Sequence, residues 1–240
     1  MKTSRTQSNK SVLLTSLVVA YLIPLIAFGL RSLLPDDAIY GYLITIISSL
    51  GFMALTVWAI RTDVVSFQAI GLTKRRLLQA VWIIALGWVI WGFVTSYDLS
   101  QYPRNSLDYL ARMIQQWLFV GPAEELFFRG YLLMAMAALF SGKHKVLAYG
   151  GGALVSSLIF ATYHLPQRIF VEGMRLASTA YAADLVQLFI VGLLLALLFL
   201  RTRNVLLVGL IHGGLNAPLF GANGDYAPAI LFLIIFEIAR

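Results

Sequence analysis

Eight apolar stretches, most of them close to twenty residues long, follow one another along this chain at 12–30, 39–60, 78–96, 112–140, 146–165, 180–200, 204–220 and 227–239. A helix needs about 20 apolar residues to cross the hydrocarbon core of a bilayer. Each stretch must also satisfy its own backbone hydrogen bonds there, which helical coiling does. The pattern therefore predicts an all-α, polytopic integral membrane protein with eight transmembrane helices around an intramembrane cavity. The last two stretches are short, and one of them is expected to span only partly. Composition agrees: 60% of the residues are hydrophobic and 12% charged, with a mean hydropathy of +0.82, whereas a soluble domain is about 25% charged. The spans use up the chain, so a single membrane-embedded domain is expected over 1–240.

The net charge of +7 does not indicate a nucleic-acid partner, because the 18 basic residues are scattered between apolar runs. The densest cluster, Lys74, Arg75 and Arg76, precedes another apolar run and reads as a membrane-flanking loop. With the N-terminus cytoplasmic, 12 of the 18 basic residues fall inside and 5 outside, with Arg129 left in the membrane. That bias predicts a plasma or inner membrane protein with both termini inside. The basic opening at 1–10 resembles that of a signal peptide, but the run after it is long enough to span and lacks a small-residue cleavage pattern, so it reads as a retained helix. The absence of cysteine excludes disulfides, thiolate metal sites and a cysteine nucleophile. The segment 166–179 is expected to be a lid or an interfacial loop.

Ionisable groups inside apolar runs are the informative residues, since each costs about 2.5 to 3.5 kcal/mol at a helix centre. The fourth run holds Glu124, Glu125 and Arg129. Glu125 and Arg129 share a helical face in the favoured acid-first order, and Glu124 is turned about 100° away. Two acids against one base leave a surplus carboxylate, which needs a proton, a cation or a water-filled cavity. Pro122, just upstream, can kink the helix where such a cavity would open.

Of the three histidines, His144 lies in a polar turn and reads as solvated, His164 ends the fifth run one turn after Phe160, and His212 lies within the seventh, four residues before Asn216. Gly209, Gly213 and Gly214 allow a neighbouring helix to approach beside His212. A glutamate with a histidine can hold and deprotonate a water, and a histidine with an asparagine can donate to the oxyanion of a tetrahedral intermediate. A rival assembly places zinc on Glu124, His164 and His212, a three-ligand open site, although the H-E-x-x-H pattern is absent. These residues satisfy both versions.

In three places the chain resembles the CPBP intramembrane proteases, which include the type II CAAX prenyl endopeptidases and bacteriocin-processing or self-immunity homologues. Two glutamates followed after three residues by arginine match Glu124, Glu125 and Arg129; an aromatic with three residues between it and a histidine matches Phe160 and His164; histidine, three residues, then asparagine matches His212 and Asn216. All three lie in a motif-bearing core at 112–220. The resemblance implies that Glu124 and His164 activate water, that His212 and Asn216 stabilise the oxyanion, and that Glu125, Arg129 and Phe160 support the geometry. It implies a metal-independent glutamate protease, with zinc as the alternative, acting on a membrane-associated, lipidated or bacteriocin-like peptide. A non-catalytic immunity protein or carrier is the competing class.

Straight helices pose a difficulty: Glu124 and His164 would lie about 24 and 27 Å from the cytoplasmic helix ends, and His212 only about 12 Å. Tilt, a break near Pro122, or a late start of the fifth helix at Gly150, Gly151 and Gly152 would reconcile them. The remaining polar groups are expected to do less. Gln115, Gln116, Asp184 and Gln187 are read as interfacial hydrogen-bonding residues, Glu237 as the partner of Arg240, and Trp82, Trp88 and Trp91 as lipid-facing or interfacial anchors.

Overall fold

The computed structural model describes residues 2–35, 37–62, 65–95, 106–140, 144–170, 173, 178–219 and 227–239. All the regular structure among them is helical. In chain order, α1 is Lys2–Ser32, α2 Ala38–Thr62 and α3 Lys74–Val94, and α4 runs without a break over 106–139. Then follow α5 at Lys145–Tyr163, α6 at Leu165–Phe170, α7 at Thr179–Thr202, α8 at Val205–Asn216 and α9 at Ala227–Ile238. Each of the eight apolar stretches carries a helix over most of its length, although the seventh, at 204–220, is helical only over Val205–Asn216. Five helices, α1, α2, α3, α7 and α5 together with α6, are long and apolar enough to cross a membrane; α8 and α9 are shorter apolar helices.

The outer helices turn large apolar side chains outward, among them Trp82, Phe93 and Val146. In a membrane these face lipid. By contrast α4 is buried on every side over Phe127–Leu133, seven consecutive residues. A helix hydrophobic and buried all round is the centre of its bundle, and α2, α5, α7 and α8 pack about this one. Trp88 belongs to this interior rather than to the lipid face expected of it: it is buried and stacks on Trp117 with ring centroids 5.7 Å apart.

Pro122 does not break α4. The helix widens ahead of it into a π-turn at Gln115–Val120, where the Gly121 N–H bonds to the Gln116 carbonyl, and widens again at Leu126–Leu133. A wider turn relieves the clash between a proline ring and the carbonyl four residues back. It also changes the phase. Residues eight apart on an α-helix drift by about 80°, and the π-turn removes most of that drift, so that Gln116, Val120 and Glu124 all face the same space.

Helix α8 crosses α4 with backbones in contact. A Cβ on Gly121 would lie 2.3 Å from the Gly209 carbonyl oxygen, and one on Gly213 would lie 2.4 Å from the Gln116 carbonyl oxygen. Only glycine permits such an approach.

The same packing resolves the mismatch in depth. Helix α8 begins beside Gly130, where a Cβ would be 3.4 Å from Val205, about 14 Å in from the Leu139 end of α4 at 1.5 Å per residue. His212 therefore reaches the level of Glu124. The deep start is built by Asn204, buried and capping α8 through the Leu207 N–H at 3.2 Å while its amide donates to the Arg76 carbonyl at 2.9 Å. The late start considered for the fifth helix does not occur. Helix α5 begins at Lys145, and Gly152 lies inside it against the Leu133 carbonyl of α4.

Candidate active site

Glu124 sits in the α-helical turn Gly121–Glu125 between the two π-turns of α4. Its Oε2 lies 3.9 Å from His164 Nε2 and 3.9 Å from His212 Nε2. That oxygen is buried and receives no hydrogen bond from a described residue. His164 ends α5 and holds its ring against its own helix, with Nδ1 2.8 Å from the Phe160 carbonyl. His212 Nδ1 lies 2.9 Å from Glu125 Oε1. A neutral imidazole has one N–H, and an acceptor at Nδ1 claims it. In the neutral rings both Nε2 atoms therefore carry lone pairs turned toward Glu124.

Glu125 is fully buried and also accepts from Arg129 Nη1 at 3.0 Å. Arg129, buried as well, donates through Nη2 to the Gly192 carbonyl of α7 at 3.0 Å. Its guanidinium lies 4.4 Å from the centroid of the Phe160 ring, within range of a cation–π contact. Phe160 in turn touches both imidazoles, at centroid distances of 4.7 Å to His164 and 5.9 Å to His212. The buried charges are thus paired through Glu125 Oε1, while Glu125 Oε2 and Arg129 Nε have no hydrogen-bond partner among the described residues, and the network ties α4, α5, α7 and α8 around the pair of histidines.

Two cavities meet at Glu124 and His164. One, of about 410 Å³, is lined also by His212, Asn216, Arg112 and Arg168; the other, of about 360 Å³, extends past Tyr163 to Ser48, Thr45 and Arg31 on the side of α1 and α2. Asn216, the last residue of α8, is exposed to the first of these, and its Nδ2 donates to Gln116 Oε1 at 3.0 Å. The Asn216 carbonyl accepts from Arg112 at 3.1 Å, and the next carbonyl, that of Ala217, accepts from Trp117 at 2.8 Å. The first turns of α4 thereby hold the end of α8. A third, apolar cavity of about 490 Å³ between α7 and α9 shares Val191 and Leu215 with the first.

The structure brings Glu124, Glu125, Arg129, Phe160, His164, His212 and Asn216 together, whereas His144 lies at the exposed start of α5. Several others do more than was expected of them. Gln116 lines both cavities, a placement that its spacing from Glu124 does not give without the π-turn. Asp184 bonds Arg168 at 2.8 Å beside the larger cavity instead of serving only the interface, and Gln187 lines that cavity too. Glu237 makes a bidentate pair with Arg201, both bonds 2.6 Å; Arg240, its expected partner, lies outside the described residues. So do six of the fourteen residues of the segment read as a lid, at 171–172 and 174–177, while its first five lie in α6.

One carboxylate oxygen and two imidazole lone pairs are the right kinds of donor for zinc. Their placement is less suitable, since ligands on a tetrahedral zinc at 2.0–2.1 Å lie about 3.3 Å from one another, against the 3.9 Å found here. Among the described residues no group of three histidine, aspartate or glutamate side chains is set to hold a metal ion.

Residues 106–218 match a family model described as Type II CAAX prenyl endopeptidase Rce1-like. The match covers a little under half of the chain, from the first residue of α4 to just beyond α8. No curated protein and no solved structure matches.

Proposed function

We propose that the chain is a peptidase of the Rce1-like type II CAAX prenyl endopeptidase family, whose model residues 106–218 match, and that it hydrolyses its substrate with a water activated by Glu124 and His164. The observation that carries this reading is the convergence of Glu124 Oε2 with two imidazole Nε2 atoms at the wall of a polar cavity. Separations of 3.9 Å are too long for direct hydrogen bonds and suit a water donating to two of these acceptors.

The water oxygen attacks the carbonyl carbon while Glu124 takes its proton. Asn216 Nδ2–H and the doubly protonated form of His212, whose Nδ1–H goes to Glu125, donate to the oxyanion. Collapse breaks the C–N bond, and Glu124 returns the proton to the leaving nitrogen. General base catalysis of this kind contributes about 10² to 10⁴ in rate, and an oxyanion donor about 10² to 10³. Glu125, Arg129 and Phe160 hold the two histidines in place.

The substrate is a membrane-associated peptide bearing a hydrocarbon chain. The apolar cavity between α7 and α9 supports this, because it adjoins the polar one at Val191 and Leu215. A lipid chain lying there would leave its peptide beside Glu124. The distribution of basic residues supports a plasma or inner membrane setting with both termini cytoplasmic.

The test uses purified wild type and Glu124→Gln, with quenched-fluorescence peptides, prenylated and unprenylated, with and without a strong chelator. Cleavage of the prenylated peptide that survives chelation and is lost in the variant supports the reading. Cleavage abolished by chelator and restored by zinc moves Glu124, His164 and His212 into a metal site, and full activity of the variant removes Glu124 as the base.

A further inference from the structure

The oxyanion role of Asn216 depends on which end of its amide faces the cavity. A primary amide presents either two N–H donors or a carbonyl oxygen, and the terminal torsion of asparagine is broad. Asn216 is the last residue of α8 and is exposed, so its own helix does little to fix that torsion. A flipped amide would turn its oxygen toward a developing negative charge, replacing attraction by repulsion.

Gln116 supplies the constraint. Its Oε1 accepts one Nδ2–H of Asn216 at 3.0 Å. The second hydrogen on a planar amide nitrogen then points about 120° away from the first, where a substrate oxygen can take it. Gln116 is itself held: its carbonyl receives the Gly121 N–H in the π-turn, and its backbone is pressed against Gly213 too closely for any Cβ there. The same π-turn keeps Gln116 on the Glu124 side of α4, and both residues line the two cavities. The base and the support of the oxyanion donor thus share one helix face.

We infer that Gln116 is a positioning residue of the active site, its side-chain carbonyl holding the Asn216 amide with a donor toward the oxyanion. The inference rests on the oxyanion role given to Asn216 above. Its reach is limited to the transition state: Gln116 need not touch the substrate, so its loss lowers kcat and leaves KM nearly unchanged.

Four variants test this by kcat and KM on the same lipidated peptide: Gln116→Met, which keeps the length and removes the acceptor; Gln116→Glu, which can only accept; Asn216→Ala; and Gln116→Met with Asn216→Ala. Gln116→Met is expected to lose about tenfold in kcat with KM within about twofold, an effect equal to one hydrogen bond of about 1.4 kcal/mol. Gln116→Glu should keep most of the wild-type kcat. The double variant should be no slower than Asn216→Ala alone, because the glutamine acts only through the asparagine. If the two single losses multiply, or if Gln116→Met is as fast as wild type while Asn216→Ala is slow, the positioning role is wrong and the oxyanion reading stands. An Asn216→Ala enzyme with wild-type kcat overturns both. Thermal midpoints in detergent separate these outcomes from misfolding.

Discussion

Glu125 and His212 are joined by a buried hydrogen bond of 2.9 Å between Oε1 and Nδ1, across helices that touch backbone to backbone at Gly121 and Gly209. This bond ties Glu125 into the packing of α4 and α8 and leaves Glu124 for the chemistry proposed for it. Glu125 is committed to His212 and Arg129 through Oε1, whereas Glu124 Oε2, like Glu125 Oε2, has no hydrogen-bond donor among the described residues and faces both histidines. The same division predicts opposite phenotypes for neighbouring substitutions.

Glu124→Gln should lose about 10² to 10⁴ in kcat and keep its thermal midpoint within a degree or two of wild type, since no protein hydrogen bond to Oε2 is lost. Steady-state cleavage and a detergent melt on the same preparation check both halves. A variant that melts much earlier would mean that Glu124 is structural.

Glu125→Gln should be the destabilising one. It leaves the fully buried Arg129 without the carboxylate it is hydrogen-bonded to, and breaking a buried pair costs about 3 to 5 kcal/mol. Arg129→Lys should also lose stability, because an ammonium cannot serve Glu125, Gly192 and the Phe160 face together. The readout is the thermal midpoint, and an Arg129→Lys protein as stable as wild type would count against the network.

Gly121→Ala should abolish activity and lower the yield of folded protein. The added methyl carbon would lie 2.3 Å from the Gly209 carbonyl oxygen, and α4 and α8 would have to separate and carry Glu124 away from His212. Gly51→Ala is the control, with nothing within 4 Å of the new carbon. It should behave as wild type in both yield and cleavage.

Ile230→Trp should narrow the apolar cavity between α7 and α9, which Ile230 lines. The expected result is a KM for a prenylated peptide raised about tenfold, equivalent to about 1.4 kcal/mol, with little change for the same peptide lacking the lipid. Equal effects on both peptides would place the lipid elsewhere.

Local pattern alone made several things legible. Uninterrupted apolar runs specify helices because a backbone in hydrocarbon must satisfy itself, and each of the eight runs carries a helix over most of its length. The spacing of Glu125 and Arg129 gives their pairing, and Glu124 turns away from it as helical geometry requires. The residues Glu124, His164, His212 and Asn216 could be picked out because polar groups in apolar runs are costly.

What the sequence could not carry was depth and phase. His212 looked too shallow because nothing local shows that α8 starts beside Gly130, a position set by the Asn204 bond to the distant Arg76. Trp88 looked like a lipid anchor because a tryptophan in an apolar run reads the same whether lipid or Trp117 covers it. Gln116 looked interfacial because only the π-turn ahead of Pro122 brings it onto the Glu124 face and within 3.0 Å of Asn216. The sequence by itself determined which segments are helices and which side chains are too polar to face lipid, since hydrocarbon penalises each residue where it stands. Tertiary structure decided which of those side chains meet, because that depends on how far each helix slides and turns against its neighbours, and contacts between residues far apart in the chain set both.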